Sequence, residues 1–465
     1  MTDPSPYVSE RPPSGCPVTG HSGAAQLYSP DFAADPRMTY HYLRRFGPVA
    51  PVELAPGVEA MLVTDYDAAL QVLRSPKTFV KDARRWQALA EGRVPNDSPV
   101  LAMMAWKPSS LFADGERHRR LRTAVRESID RLDQHTLRRY VTRSADALID
   151  RFGPAGQADL MRDYSALLPL RVFIALAGFH PSYENIVLAA TTGVLNASGP
   201  EAARLSEEFL GHLYDLVAHK RRQPGADLTS WLIAHEAALT DDELVSELYL
   251  LIGAGTQPEA AFIGNVLRLL LVDRRFAGNF HNGTVGVEEA LDEVLWVDPP
   301  MANFSVHYPL YDVRLGDVLV PAGVPTLISH AAVTEQLSML PGQRIGNRAH
   351  LAWGAGPHAC PVQDEARMIA AIAMERLLDR IPDVALAVHP AELRWRQGPF
   401  ARCPESLPVF FPPDAFPVAT EDGAAGAPPR WGLTPDPASS AAGTGQSSSS
   451  DWRRRVWAAI SGKGA

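Results

Sequence analysis

The sequence predicts a mainly α-helical protein with a small β region. Two patterns carry that expectation. Apolar residues recur at helical spacing through most of the chain, broken at Pro and Gly, and the strand-like runs are few and short. A third observation locates the chemistry. Trp353-Gly354-Ala355-Gly356-Pro357-His358-Ala359-Cys360 holds a cysteine behind a tight turn, and a helix-favouring run follows over 365–378.

Residues 1–25 are rich in Pro, Gly and Ser and read as a flexible lead-in. A helical pattern covers 36–46. Runs 49–53 and 60–63 flank a Pro-Gly turn as a hairpin, and 66–73 returns to helix. Residues 85–110 read as irregular, with Pro95, Pro99 and Pro108 among Leu101, Met103, Met104 and Trp106. A basic helix spans 116–126. Amphipathic helices fill 135–236. Thr240-Asp241-Asp242-Glu243 is a capping box that opens a long helix through Leu271. Helix 288–296 is stopped by Asp298-Pro299-Pro300. Short strands are expected over 303–306, 313–315 and 318–320, and a closing β region over 387–412. Residues 413–450 read as a linker rich in Ala, Gly, Pro and Ser. In 451–461, Trp452, Val456 and Ile460 share a helical face beside Arg453, Arg454 and Arg455. Such a short basic helix suits a membrane surface or a partner groove, or docks on its own domain.

Composition narrows the class. A formal net charge of -9 argues against a nucleic-acid footprint. Cys16, Cys360 and Cys403 form no C-x-x-C, which argues against a disulfide framework or a zinc site. Cys16 and His21 are too few ligands for a metal. The first ten residues lack a basic apolar leader pattern. The most apolar window, 248–267, contains Gln257, Pro258, Glu259 and Asn265, so it reads as a buried helix rather than a membrane span. The expected location is the cytoplasm.

A lone cysteine is most often a small buried apolar residue. One that holds a metal needs a fixed direction and shielding from water. Gly354 and Gly356 permit backbone conformations barred to other residues, and Pro357 stiffens the turn. Trp353 can cover the sulfur, and the helix start behind Cys360 favours a thiolate. The octet resembles the haem-binding loop of the cytochrome P450 family, Phe-Gly-x-Gly-x-His/Arg-x-Cys, with Trp353 in the place of Phe and Val362 where a glycine usually follows. The resemblance covers about residues 30–412.

That resemblance implies a cytochrome P450-like fold enclosing haem b (iron protoporphyrin IX), with Cys360 as the metal ligand and Gly354 in the cofactor loop. His118 and Arg122 resemble the family's His-x-x-x-Arg, which holds a haem propionate, and four residues apart they share one helix face. His358 joins them. The other reading is a solvated charged face, which Arg117, Arg119, Arg120 and Arg126 fit; those four are also candidates for docking an acidic electron-transfer protein. His307 aligns with an arginine that reaches a propionate in the family. Residues 85–110 stand where the family covers its substrate, or form an ordinary packed loop. Glu293 fits the family's Glu-x-x-Arg, as in an actinobacterial branch that shares the departure, but Trp296 replaces the arginine; Arg344 or Arg348 is the candidate substitute. Ser406-Leu407-Pro408-Val409 resembles the closing β region, with Cys403 structural.

On the long helix the family's acid and alcohol fall at Gln257 and Pro258, which can supply neither an acid nor a hydroxyl. Pro258 also frees the Ala254 carbonyl and bends the helix. Thr256, as a hydroxyl donor, and Glu259, as a carboxylic acid acting through water, are the remaining catalytic candidates. The alternative has Thr256 bonded back to a carbonyl and Glu259 facing solvent. Thiolate ligation pushes electron density onto iron and favours O–O cleavage. The implied activity is a monooxygenase that oxidises a small apolar organic substrate with O2 and electrons from ferredoxin and ferredoxin reductase. A peroxide-using haem oxidase and a haem-dependent sensor without turnover are the rivals.

Overall fold

The computed structural model describes residues 24–180, 183, 186–187, 199–273, 286–337 and 341–413. Nearly all of the lead-in with Cys16, the linker after residue 413, and the expected helix 451–461 lie outside the described residues.

The spine is the helix Asp241–Val272. Both arms of its capping box form: Glu243 N–H donates to Thr240 Oγ1, and Thr240 N–H donates to the Glu243 carboxylate. Three acids in the first turn suit the positive end of the helix. The helix continues through Pro258, which has no N–H for the Ala254 carbonyl. Helices Leu167–Ala177, Gly199–Arg222, Val287–Val297 and Gln363–Arg380 pack around this spine. At Gly255 an added Cβ would stand 2.0 Å from Phe173, so only glycine lets that ring lie on the helix. The largest core joins Phe262, Val266 and Leu267 of the spine to Leu291, Leu295, Ile369 and Leu377.

The main sheet has six strands in the order Ala25–Gln26, Val49–Ala55, Val58–Val63, Thr326–Ser329, Asn303–Pro309, Phe79–Val80. Val49 faces Val63 across the expected hairpin. Strand Thr326–Ser329 was not expected; all four residues are buried, and so short a run shows no alternation. Between Phe304 and His307 the sheet holds one extra residue, a bulge in which Ser305 has φ 52. Strands Ala385–Leu386, Pro408–Phe410 and Gln157–Asp159 form the closing sheet, and Val313–Leu315 with Val318–Val320 a separate hairpin.

The segment expected to be irregular carries short helical turns at Gln87–Ala90 and Leu101–Met104. Pro95 and Pro99 keep them short, and buried Trp86 and Met104 anchor them to the sheet-side core.

Candidate haem site

The cysteine loop is held by its own backbone. Cys360 N–H donates to Trp353 O at 2.8 Å, Gly354 N–H to Leu351 O at 2.8 Å, and Ala359 N–H to Gly356 O at 3.1 Å. Gly354 and Gly356 both have φ +69. At Gly356 an added Cβ would lie 2.2 Å from Leu73 O, because the end of helix Tyr66–Arg74 abuts the loop. Val362 has φ -126, which any residue adopts, so the missing glycine does no harm and the helix starts at Gln363. The Val362 N–H bonds toward the Cys360 sulfur. Burial raises the thiol, and that N–H and the Arg122 charge oppose it. Trp353 packs edge-on against Phe262 of the spine, ring centroids 6.1 Å apart, which ties the loop to the central helix.

Histidines and Arg122 gather around this loop. His118, from the helix Gly115–Asp130, stacks on His358 at 3.9 Å. Arg122, one turn on, donates to Ala359 O. His307 is 3% exposed and lies inside the fold. Its Nδ1 donates to Ser305 O at the bulge. Burial, and then the Arg122 charge, pull His118 down to about 4, so it is neutral at pH 7. Burial and the Lys81 charge hold His307 and His358 far below the usual range.

Lys81 was missed in the sequence. It follows strand Phe79–Val80, is 4% exposed, and its charge bears on His118, His307 and His358. Burial, opposed by Asp114, pushes its amine down to about 7. The Asp114 carboxylate is engaged by the N–H groups of Lys81 and Asp82 at 3.0–3.2 Å. A single lysine after a short strand carries no periodic signal; only the fold, which clamps its backbone to Asp114, buries it.

On the spine, Thr256 departs from the expected donor role. Its hydroxyl donates to Ile252 O at 2.7 Å, one turn back in the same helix, so its proton is engaged. Glu259 does not face solvent. It is 5% exposed, its Oε1 is buried without a partner, and burial raises its carboxyl well above the usual range. Its charge bears on Cys360 and raises the thiol.

The expected docking arginines are all engaged within the chain. Arg119 pairs with Glu116, Arg126 with Asp130 and Arg117 with Glu243, while Arg120 reaches both Glu243 and the Ala237 carbonyl. At the altered Glu-x-x-Trp, Glu293 pairs with Arg344 at 2.8 Å, and Trp296 Nε1 donates to Asn347 O at 3.1 Å. Cys403 is buried in the closing β region.

The donors suit haem b. Buried Lys81 and half-buried Arg122, with His118 Nε2 unpartnered, suit carboxylates, and a cysteine on a rigid turn beside them suits a soft metal ligand position.

Comparison with known proteins defines the class: a haem-thiolate monooxygenase. No protein-family model matches the chain. Cytochrome P450 107B1 of Saccharopolyspora erythraea is 31% identical over 412 residues, covering 84% of this chain and 99% of that protein. Cytochrome P450 monooxygenase PikC of Streptomyces venezuelae is 31% identical over 392 residues, covering 82% and 92%. The solved structure of myxobacterial CYP267B1 in complex with myristic acid superposes with a TM-score of 0.73 at 26% identity, covering 83% of this chain and 98% of that one. The chain belongs to the cytochrome P450 family. It is an oxidoreductase whose cofactor is haem b held through a cysteine thiolate. Among the described residues no helix is long and apolar enough to cross a membrane.

Proposed function

We propose that Cys360 would supply the thiolate that holds haem in a cytoplasmic monooxygenase that oxidises a small, apolar organic molecule, with electrons from ferredoxin and its reductase. The observation that carries this reading is a rigid cysteine turn with His118, His358 and Arg122 packed against it. When bound, haem activates O2 for insertion into the substrate. Lys81, His118, Arg122, His307 and His358 would hold the propionates. Gly354 and Gly356 keep the loop turned, and Trp353 with Phe262 keeps water from the sulfur. Glu259, whose buried site disfavours the carboxylate, would hold a proton and pass it to water. The haem domain spans 26–412, with the linker and basic helix as an interaction tail not needed for haem binding.

Among the relatives, 6-deoxyerythronolide B hydroxylase of Saccharopolyspora erythraea is 26% identical over 403 residues, and its name supports oxidation of an organic metabolite as the reaction class. The test of the ligand is the reduced, carbon monoxide-bound spectrum. Cys360→Ser is expected to lose the red-shifted thiolate band, and Cys403→Ser to keep it. Retention of the band in Cys360→Ser overturns the reading.

A second reading has a specific observation behind it. Gln257 and Pro258 offer no acid and no hydroxyl, and the Thr256 proton is engaged. Peroxide-driven oxidation needs less of such a relay. Product formed at full rate with peroxide and no electron donor would favour it.

A further inference from the structure

The spine has an open side. Gly253 and Ala254 sit in mid-helix, with Ile252 and Thr256 buried beside them, yet both are exposed. A Cβ added to Gly253 would meet nothing within 4 Å. Gly255 differs, with Phe173 pressed on it. The fold therefore leaves free space against one face of this stretch. Tyr249 lies on the same face, one turn and about 6 Å before Gly253.

A cation reaches that face. Lys107, in the segment 85–110, puts its Nζ 5.7 Å from the centroid of the Tyr249 ring and 5.8 Å from that of Phe112. Both are near the limit of about 6 Å at which a ring face holds a cation. Nζ donates to Ala102 O at 3.0 Å, and the other hydrogens of the ammonium have no acceptor among the described residues. Burial pushes the amine down to about 8, and no acid opposes that push. The other described lysines differ. Lys220 pairs with Asp227 at 2.6 Å, Lys81 has the Asp114 charge beside it, and Lys77 is exposed. A desolvated ammonium without a counter-charge is costly, and a chain retains one where something else supplies the anion.

We infer that the substrate carries a carboxylate, that Lys107 Nζ holds it, and that its apolar body lies along Tyr249 toward Gly253. The inference rests on the proposed oxidation of a small, apolar molecule and adds one charged end to it. A single cation on an otherwise apolar wall fixes which end of such a molecule stays put, so Lys107 determines specificity and orientation. Half-buried, it keeps accessible surface for the incoming acid.

The test titrates the holoprotein with matched pairs, dodecanoate with dodecanol and butylbenzoate with butylbenzyl alcohol, and reads affinity from the change in the haem spectrum. Wild type is expected to bind at least one acid about tenfold to a hundredfold more tightly than its alcohol. Lys107→Met and Lys107→Gln are expected to lose that preference while binding the alcohol as well as wild type does, and Lys107→Arg to keep most of it. Haem content and the carbon monoxide spectrum of each variant check that it has folded. Between pH 7 and pH 9 the Lys107 amine sheds its proton, so the wild-type preference is expected to fade while that of Lys107→Arg holds. Tyr249 is the titratable group facing the amine, and burial raises its phenol, so it stays neutral across that range. No preference for either acid in wild type overturns the inference, as does the same preference in Lys107→Met and Lys107→Gln. An equal loss of acid and alcohol in those variants overturns it too, since a merely structural lysine acts in that way. Failure of the haem reading is separate: it appears as a wild-type protein without the red-shifted thiolate band.

Discussion

The rings of His118 and His358 lie 3.9 Å apart and tilted by 36°, one carried by the basic helix and the other by the cysteine loop. Two charged rings would repel at that distance. Burial keeps both neutral, so they stack, and with the Arg122 bond to Ala359 O they fasten helix to loop. The seam is lined with donors, and His118 Nε2 has no partner there. The first prediction concerns the charge set into it.

Lys81→Met is expected to act in opposite directions on the two forms of the protein. Haem loss from the holoprotein speeds by about tenfold, as propionate support is removed. The haem-free protein gains stability at pH 7, because a buried ammonium is costly. The sign follows from its lowered pKa. Native stability from this group is full above the usual lysine value of 10.5 and is lost as pH falls through that value toward about 7. Denaturation of the apoprotein and haem transfer to an acceptor protein measure the two effects. A solvated-face role would leave both unchanged.

Glu259→Gln removes the proton but keeps the shape. With an identified substrate it is expected to raise the peroxide released per electron consumed by several-fold, with haem content unchanged. Thr256→Val is expected to do little, since the hydroxyl is engaged by Ile252 O. Coupling efficiency, measured as product per electron, decides. Equal coupling in wild type and Glu259→Gln would hand proton delivery to ordered water.

Glu247 gives a pH-dependent stability. Both its oxygens accept from Ser110, one from N–H and one from the hydroxyl at 2.9 Å, which clasps the segment before the basic helix to the spine. Burial pushes its carboxyl up to about 7, against the pull of Ser110 and Arg122 and with help from Glu243. A raised carboxyl makes its contribution in full below about 4.5 and loses it as pH rises through 7. Wild type is therefore expected to lose about 3 kcal/mol from this group between pH 4.5 and 8. Glu247→Gln lacks that loss, so the stability difference between variant and wild type should shift toward the variant with rising pH. Urea melts at pH 5 and pH 8 measure it.

The two glycines of the turn should differ. Gly354→Ala meets no atom closer than 3.8 Å, so it costs only the strained φ, about 1–2 kcal/mol. Gly356→Ala carries the same φ and also drives its Cβ into Leu73 O. It is expected to cost more and to disturb the thiolate band. Thermal melts and the carbon monoxide spectrum of both variants test the order.

Much of the helical frame was legible before the structure, because the central helix announces itself by Thr240 and Glu243 and the hairpin by its Pro-Gly turn. The cysteine loop was legible because its turn is closed by local backbone bonds, although Leu73 and Arg122, which also press on it, come from afar. The brace was not. Glu293 shows an acid, and nothing in the chain says which distant arginine closes on it, since Arg344 and Arg348 look alike until one is folded against the helix. Glu247 was invisible too, for an acid four residues after Glu243 reads as a solvent-facing stripe. Its burial comes from Ser110, on a segment whose path sequence periodicity does not describe.

The bulge at Ser305 has a consequence for proton traffic. A carbonyl can only accept, so the hydrogen on a neutral His307 must sit on Nδ1, where it meets Ser305 O. The remaining nitrogen, Nε2, then carries a lone pair and no hydrogen. A carboxylate brought to that nitrogen finds nothing to bond until one proton joins the pair, whether it rests on the ring or on the acid. With a propionate at that nitrogen, loading of the cofactor would take up a proton, and alkaline media would oppose assembly of the holoprotein.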